Sequence, residues 1–313
     1  MEQGIARKPR HSPSGSAQTG RFETPILFIV FNRPETTNAV LESIRSVRPL
    51  YLYVAADGPR AGVEADLSSC EAARRIATTT DWPCELRTRF RDSNVGCGLN
   101  VSSAISWFFD NVEQGIILED DCVPGRSFYP FCEELLEYHS EHARVMHIGG
   151  DNFQYGHVRG KASYYYSRFA HVWGWASWRR AWKAYDFNLR PAWELRDTWD
   201  TQWQLSIERA GGVAIVPNVN LVKNVGFGEA ATHTRQLERY AVVPVQEIGL
   251  PLTHPGQVSI DHEADVLTYY ANFRNVRCLR LIWLYQAWDL LLPGLKRVKR
   301  ALFGNGRGKD VPK

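Results

Sequence analysis

From Pro25 onward, apolar and polar positions alternate in blocks. An apolar run, Ile26 to Phe31, precedes a stretch with helical spacing from Glu35 to Val47; a second run, Leu50 to Ala56, precedes another such stretch, Glu64 to Thr78. Unbroken apolar runs suit strands buried on both faces, and helical spacing suits the elements that cover them. The pattern predicts βαβα, hence an α/β fold with a mostly parallel central sheet flanked by helices. It continues with a strand over Cys84–Phe90, a helix over Leu99–Asn111 and a short strand over Gly115–Leu118. A helix over Ser127–Ser140 follows, with Ser127 expected at its N-cap, and then a strand over Val145–Gly149.

Beyond Asp151 the period weakens and aromatic residues crowd in: Tyr164, Tyr165, Tyr166, Phe169, Trp173, Trp175, Trp178, Trp182, Trp193, Trp199 and Trp203. Large rings serve either as core or as a grip on a ring-shaped ligand. In Trp173-Gly174-Trp175 the glycine allows close backbone approach to such a ligand. Residues 1–21 have the Ser, Gly, Pro, Arg and Lys composition of a solvated tail. The expected organisation is that tail, a catalytic domain over 22–273 with a nucleotide-binding half (22–150) and an acceptor-binding half (151–273), and a basic amphipathic end over 274–313. Within that end, 274–303 reads either as a membrane-surface helix or as a helix packed on the domain with a solvated tip.

Composition narrows the picture. An apolar fraction of 44% with 11 Trp indicates a folded globule. Charge is near balance, +3 from 37 basic and 34 acidic residues, so nothing in it calls for nucleic acid as a partner. The six cysteines form no C-x-x-C pair, and no secretory signal opens the sequence; both features suggest reduced thiols and a cytoplasmic protein. The longest apolar stretch, Leu281–Leu292, is broken by Gln286 and Asp289 and is shorter than the roughly 20 residues that a spanning helix needs.

Parallel sheets bind ligands beyond the carboxyl ends of their strands. Three such ends carry polar residues: Asn32-Arg33, Asp57-Gly58 and Glu119-Asp120-Asp121. The acidic triplet is the strongest signal, because three adjacent carboxylates repel one another at the edge of a core unless a cation offsets them. Hard oxygen ligands favour manganese or magnesium, whose remaining coordination sites suit a diphosphate. Asp57 stands where a base edge or ribose is read, and Arg33 is suited to a phosphate or to stacking on a base. The loop from Asn94 to Asn100, with Gly98 and Asn100 opening a helix, offers backbone to an anion or base. It lacks the Gly-Lys-Ser/Thr of a Walker loop, and Asn32-Arg33-Pro34 replaces the glycines of a dinucleotide fingerprint.

Taken in order, Phe31-Asn32-Arg33-Pro34, Ala56-Asp57-Gly58, Ile117-Leu118-Glu119-Asp120-Asp121, Phe128-Tyr129-Pro130-Phe131, Ile148-Gly149-Gly150-Asp151-Asn152, Trp173-Gly174-Trp175, Trp199-Asp200 and Gly226-Phe227-Gly228 resemble a GT-A glycosyltransferase. The resemblance is to the group of N-acetylglucosaminyltransferase I and its bacterial relatives, and it spans Thr24 to Thr234. It implies a UDP-sugar donor and manganese, with Asp121 as the metal ligand and Glu119 and Asp120 positioning the ribose and neighbouring groups. It also places Arg33 and Asp57 at the uridine, with Trp173 and Gly174 among the binding residues and His233 in a loop over the donor. Asp200 becomes the carboxylate base of an inverting transfer, although Trp199-Asp200-Thr201-Gln202-Trp203 lacks one acid of the family's Trp-Asp-Asp-Trp stretch.

The expected activity is transfer of a sugar from a UDP-sugar to a glycan or lipid-linked acceptor, at the membrane face if 274–303 docks there. Two other readings stand beside it: a non-catalytic nucleotide-sugar or glycan-binding module, and a sugar nucleotidylyltransferase, which opens with a glycine-rich loop that this sequence lacks.

Overall fold

The computed structural model describes residues 22–189, 198–226 and 243–270. The chain runs β1 (Ile26–Val30), α1 (Pro34–Val47), β2 (Tyr51–Ala56), α2 (Glu64–Ala77), β3 (Glu85–Phe90), α3 (Cys97–Asn111), β4 (Gln114–Glu119), β5 (Cys122–Pro124), α4 (Phe128–Tyr138) and β6 (Val145–Gly149). It continues with β7 (Tyr164–Ser167), β8 (Trp175–Trp178), α5 (Arg179–Trp182), α6 (Asp200–Arg209), β9 (Val213–Pro217), β10 (Val222–Asn224) and α7 (His262–Thr268). The first half matches the hydrophobic pattern to within a few residues at each end. In the second half, the short strands β7 to β10 fall where the period weakens.

Eight strands form one sheet in the order β3-β2-β1-β4-β8-β6-β9-β7. The pairs β3·β2, β2·β1, β1·β4 and β6·β9 are parallel, whereas β8 and β7 run against their neighbours. The fold is therefore α/β with a mostly parallel central sheet. The sheet passes straight through residue 150, so the two expected halves share a single platform.

Alternation along β1 distributes the core to both faces. Ile26, Phe28 and Val30 join Val40, Leu41 and Ile44 of α1 and Phe128, Tyr129 and Phe131 near the start of α4. Leu27 and Ile29 join Val101, Ile105 and Phe108 of α3 and Trp203 of α6 on the opposite face. Both faces of β1 are thus dry, which explains its unbroken apolar sequence.

The aromatic crowd is mostly core. Of the eleven rings singled out from the sequence, those described are buried except Trp173, which is half-buried. Trp175 stacks on Trp199, and Trp182 packs against Trp203. The Trp203 indole donates to His147 Nδ1 at 3.1 Å, and His147 Nε2 donates to the His171 carbonyl at 2.7 Å. Burial pushes His147 down to about 3, so it is the neutral imidazole that makes this bridge. Packing accounts for the buried rings, and Trp173 is the one among those described that keeps partial exposure.

Ser127 stands at the N-cap of α4, but its hydroxyl does not cap that helix. Glu247 does so from a distant segment, accepting from Ser127 N at 2.8 Å and Arg126 N at 3.3 Å. The Ser127 hydroxyl instead accepts from Ile248 N at 3.0 Å, which fastens residues 247–248 to the helix.

The tail 1–21, Trp193, His233, Phe227-Gly228, Cys278 and the end 274–313 lie outside the described residues. Among the described residues, no helix is long and apolar enough to cross a membrane. Among the described residues, no disulfide joins Cys70, Cys84, Cys97, Cys122 or Cys132.

Phe28 is fully buried in the central strand β1. Phe28→Ala is expected to lower the unfolding free energy by about 3–5 kcal/mol, through lost apolar burial and the cavity left behind. A denaturant midpoint shift at unchanged slope checks it; a loss below about 1 kcal/mol would mean that the site collapses around the smaller side chain.

Candidate functional site

The strand order reverses at β1. Strands β2 and β3 extend from one side of it and β4 lies on the other. Helices on either side of such a switch point diverge, opening a crevice beyond the carboxyl ends of β1 and β4. Into that place the sequence delivers Arg33, three residues past β1, and Glu119-Asp120-Asp121, at the end of β4.

These residues interlock. Arg33 Nη2 donates to Asp120 Oδ1, and Arg33 Nη1 donates to Asp121 Oδ2 at 2.9 Å. Asp120 is buried and also accepts from the Phe31 amide at 3.0 Å, tying the end of β1 to the end of β4. Burial alone would lower the affinity of the Arg33 guanidinium for its proton, but the charges of Asp120 and Asp121 outweigh it and hold the group firmly charged.

One guanidinium does not balance the cluster. Glu119 is pushed up to about 8, first by desolvation and then by Asp121 and Asp120, with Arg33 opposing and Asp200 adding to the rise. Asp120 is pushed up to about 6 by desolvation, with Arg33 working against the shift. The influence of Asp200 on Glu119 brings the first turn of α6 within electrostatic range of the triplet. Asp200 itself is exposed, and its carboxylate accepts from Thr201 N at 2.8 Å.

Asp121 is gripped from several sides. Its Oδ1 accepts from Cys122 Sγ at 3.3 Å, and its carbonyl accepts from Val225 N at 2.8 Å. Strands β5 and β10 pair antiparallel beside it, Asn224 opposite Cys122. Gly226 then passes so close that a Cβ there would lie 2.2 Å from Asp121 Oδ2 and 2.9 Å from Arg33 Nη1. A side chain at 226 would therefore have to displace the ion pair.

Among the described residues, no group of three or more His, Cys, Asp or Glu side chains converges as a metal cage. Manganese and magnesium do not require one, since such ions take one or two carboxylates and complete their shell with water and phosphate oxygens. Hard oxygen donors with more negative than positive charge fit a divalent cation, and Asp121 is the aspartate whose side chain keeps more exposure, 18% against 3% for Asp120.

Asp57 has a different occupation. Its carboxylate accepts from Gly58 N at 2.9 Å, Asn94 Nδ2 at 2.9 Å and Val95 N at 3.1 Å. It thereby binds the 94–96 loop to the end of β2, and burial raises its carboxyl even though these donors oppose the shift. Gly98 and Asn100 are buried within the first turns of α3. Gly174 adopts φ +62°, and a Cβ there would meet Val222 Cγ2 at 3.0 Å and Leu118 Cδ2 at 3.3 Å, so this glycine serves the turn and the close packing of β10 on β4. Trp173 packs edge-on against Phe153, with ring centroids 5.2 Å apart.

Some supporting residues carry no distinctive sequence signal. Asp66, in the first turn of α2, accepts from Arg60 Nε at 2.6 Å and from Asn32 Nδ2 at 2.8 Å, which holds the loop after β1. Arg60 depresses its carboxyl well below the usual carboxylate range. Asp151, at the end of β6, lies buried 3.1 Å from His171 Nδ1. Asp66 does not announce itself, because a helix-start acid is an ordinary feature, and Asp151 is legible only as part of the segment Ile148-Gly149-Gly150-Asp151-Asn152.

The crowded carboxylates have a consequence for stability. With a folded value near 8 and an ordinary value of 4.5, Glu119 keeps its proton in the folded chain where the unfolded chain has lost it. Its contribution is therefore present at low pH and lost as pH rises toward 8. His139 and His147, depressed from 6.5 to about 3, act oppositely and only below pH 6.5. Between pH 6.5 and 8 the Glu119 effect is the one that the shifted groups of the described residues supply, so the chain in chelator is expected to melt higher at 6.5 than at 8. Glu119→Gln should level the two melting temperatures; an equal slope in the variant would assign the effect elsewhere.

No protein-family model matches the chain, and no curated protein matches it. Among solved structures it is similar to a UDP-glucose pyrophosphorylase complexed with UDP-glucose, at 8% identity and TM-score 0.38, covering 61% of this chain and 89% of the other. It is also similar to the inositol-1-phosphate CTP transferase from T. maritima, at 8% identity and TM-score 0.35, covering 63% and 85% respectively. Likenesses this distant assign neither an activity nor a ligand to the chain.

Proposed function

We propose that this chain is a metal-dependent glycosyltransferase that moves a sugar from a UDP-sugar to a glycan or lipid-linked acceptor, with inversion at the anomeric carbon. The observation that carries the proposal is the under-neutralised triplet Glu119-Asp120-Asp121 at the strand switch point, with Arg33 across it and Asp200 in electrostatic range.

In this reading Asp121 holds manganese or magnesium, with Glu119 and Asp120 behind it. Such an ion, when bound, neutralises charge that develops on a diphosphate leaving group. Arg33 offers a planar, permanently charged fork to the nucleotide. Asp57 holds the 94–96 loop in place, and this loop forms the wall beside the base and ribose. Asp200, exposed at the start of α6, takes the proton of the acceptor hydroxyl as that oxygen attacks the anomeric carbon. The anomeric carbon–oxygen bond to the diphosphate breaks on the opposite side, and UDP leaves with the bonding electrons.

A sugar nucleotidylyltransferase is the rival enzyme. The residues after β1, Asn32-Arg33-Pro34, contain none of the glycines such an enzyme folds around a nucleoside triphosphate, and Pro34 commits the chain directly to α1. A non-catalytic binding module is the other rival, favoured by the single acid in Trp199-Asp200-Thr201-Gln202-Trp203.

The deciding experiment is a melting-temperature panel of nucleotides and nucleotide sugars with and without manganese. A ligand at 100 times its Kd stabilises by about 2.7 kcal/mol, so UDP with manganese is expected to give a clear upward shift. Asp121→Ala should abolish the metal-dependent shift while folding normally, because it relieves carboxylate repulsion. Asp200→Asn should keep the shift yet lose UDP release by at least about a hundredfold, the usual scale of a general base. Pyrophosphate release from UTP and a sugar 1-phosphate would identify the nucleotidylyltransferase instead. Binding without manganese-dependent turnover or UDP-sugar hydrolysis would identify the module.

A further inference from the structure

We infer that Arg33 is a built-in stand-in cation for the acidic triplet, that it and the metal compete for Asp121, and that metal entry releases its guanidinium toward the nucleotide. This rests on Asp121 being the metal ligand. It adds that metal and nucleotide binding are coupled through one side chain.

The geometry is specific. The Arg33 fork spans two carboxylates, with Nη2 on Asp120 and Nη1 2.9 Å from Asp121 Oδ2. The other partners of Asp121 are fixed by backbone or by close packing: Val225 N on its carbonyl, the buried Cys122 thiol on Oδ1, and the Gly226 backbone against Oδ2. Arg33 is the partner on a long rotatable stem, and its side chain retains 22% exposure. A cation coordinated by Asp121 Oδ2 would stand beside the charged guanidinium that donates to the same oxygen. Two positive charges at contact distance in a half-buried site repel strongly, so the guanidinium swings away. The Gly226 backbone crowds one side of the pair, and a strand switch point such as this one places ligands beyond the carboxyl ends of β1 and β4, where a diphosphate or base has use for a freed fork of donors.

Two titrations on the full-length chain test this. Free manganese is measured by electron paramagnetic resonance without nucleotide, and UDP affinity is then measured at saturating manganese. Arg33→Ala is expected to bind manganese alone about tenfold more tightly than wild type and to bind UDP about tenfold more weakly, opposite changes of the kind that one shared side chain produces. Arg33→Lys keeps the charge without the fork and should fall between the two for the metal; it carries the comparison if the alanine variant melts far below wild type. A folded Arg33→Ala or Arg33→Lys with unchanged or weaker manganese affinity overturns the competition, while loss of binding in Asp121→Ala would still leave the metal site standing. If wild type and Asp121→Ala bind manganese equally poorly even with UDP, the metal reading itself falls.

Discussion

The arrangement depends on a charge imbalance that the fold creates and does not resolve. Strand β4 ends in three consecutive acids beside the end of β1, and the covalent chain gives them no means of separating. Arg33 is held by two of them, Asp120 is shielded by the Phe31 amide, and Glu119 is left with a carboxyl that resists ionisation. Charge of this kind at a core edge is costly and persists only where the surroundings impose it. Here those surroundings are a dry parallel sheet on one side and the β5·β10 ribbon on the other, and Asp121 keeps 18% of its side chain exposed between them.

Much of the remaining polar structure keeps that crevice in shape. Asp57 holds the 94–96 loop, Asp66 holds Asn32 and Arg60, and Glu247 holds the start of α4 from more than a hundred residues away. Each is a carboxylate satisfied by several donors, and several of those donors are backbone amides of loops. Loops that carry function need such anchors, because few apolar contacts hold them. The aspartates that follow β2 and β4, on either side of β1, are held differently: Asp57 accepts from the 94–96 loop, whereas Asp121 accepts from the Arg33 side chain.

The aromatic half shows packing overriding composition. Trp175, Trp182, Trp199 and Trp203 form one buried cluster on a face of the sheet, with His147 bonded inside it. This cluster positions Asp200, since Trp199, stacked on Trp175, immediately precedes it. The rings support the site from behind.

The sequence by itself determined most of the first half of the fold and the strand ends at which the candidate site residues stand. Unbroken apolar runs and helical spacing are local signals, so β1 to β4, β6 and the helices between them were legible, whereas the three-residue β5 was not; Arg33 and the triplet could be placed because strand ends can be read from where hydrophobicity stops. The tertiary structure alone decided the rest. Strands β7 to β10 are three to five residues long, too short to carry a period of their own, and β8 takes its place between β4 and β6 only through pairing. Ser127 has the chemistry of a cap, yet a distant glutamate supplies the cap. Gly226 and Gly174 are crowded by side chains far away in sequence, and the Arg33–Asp121 bond closes across 88 residues. Contacts of that span depend on how strands are ordered in the sheet, which local sequence does not encode.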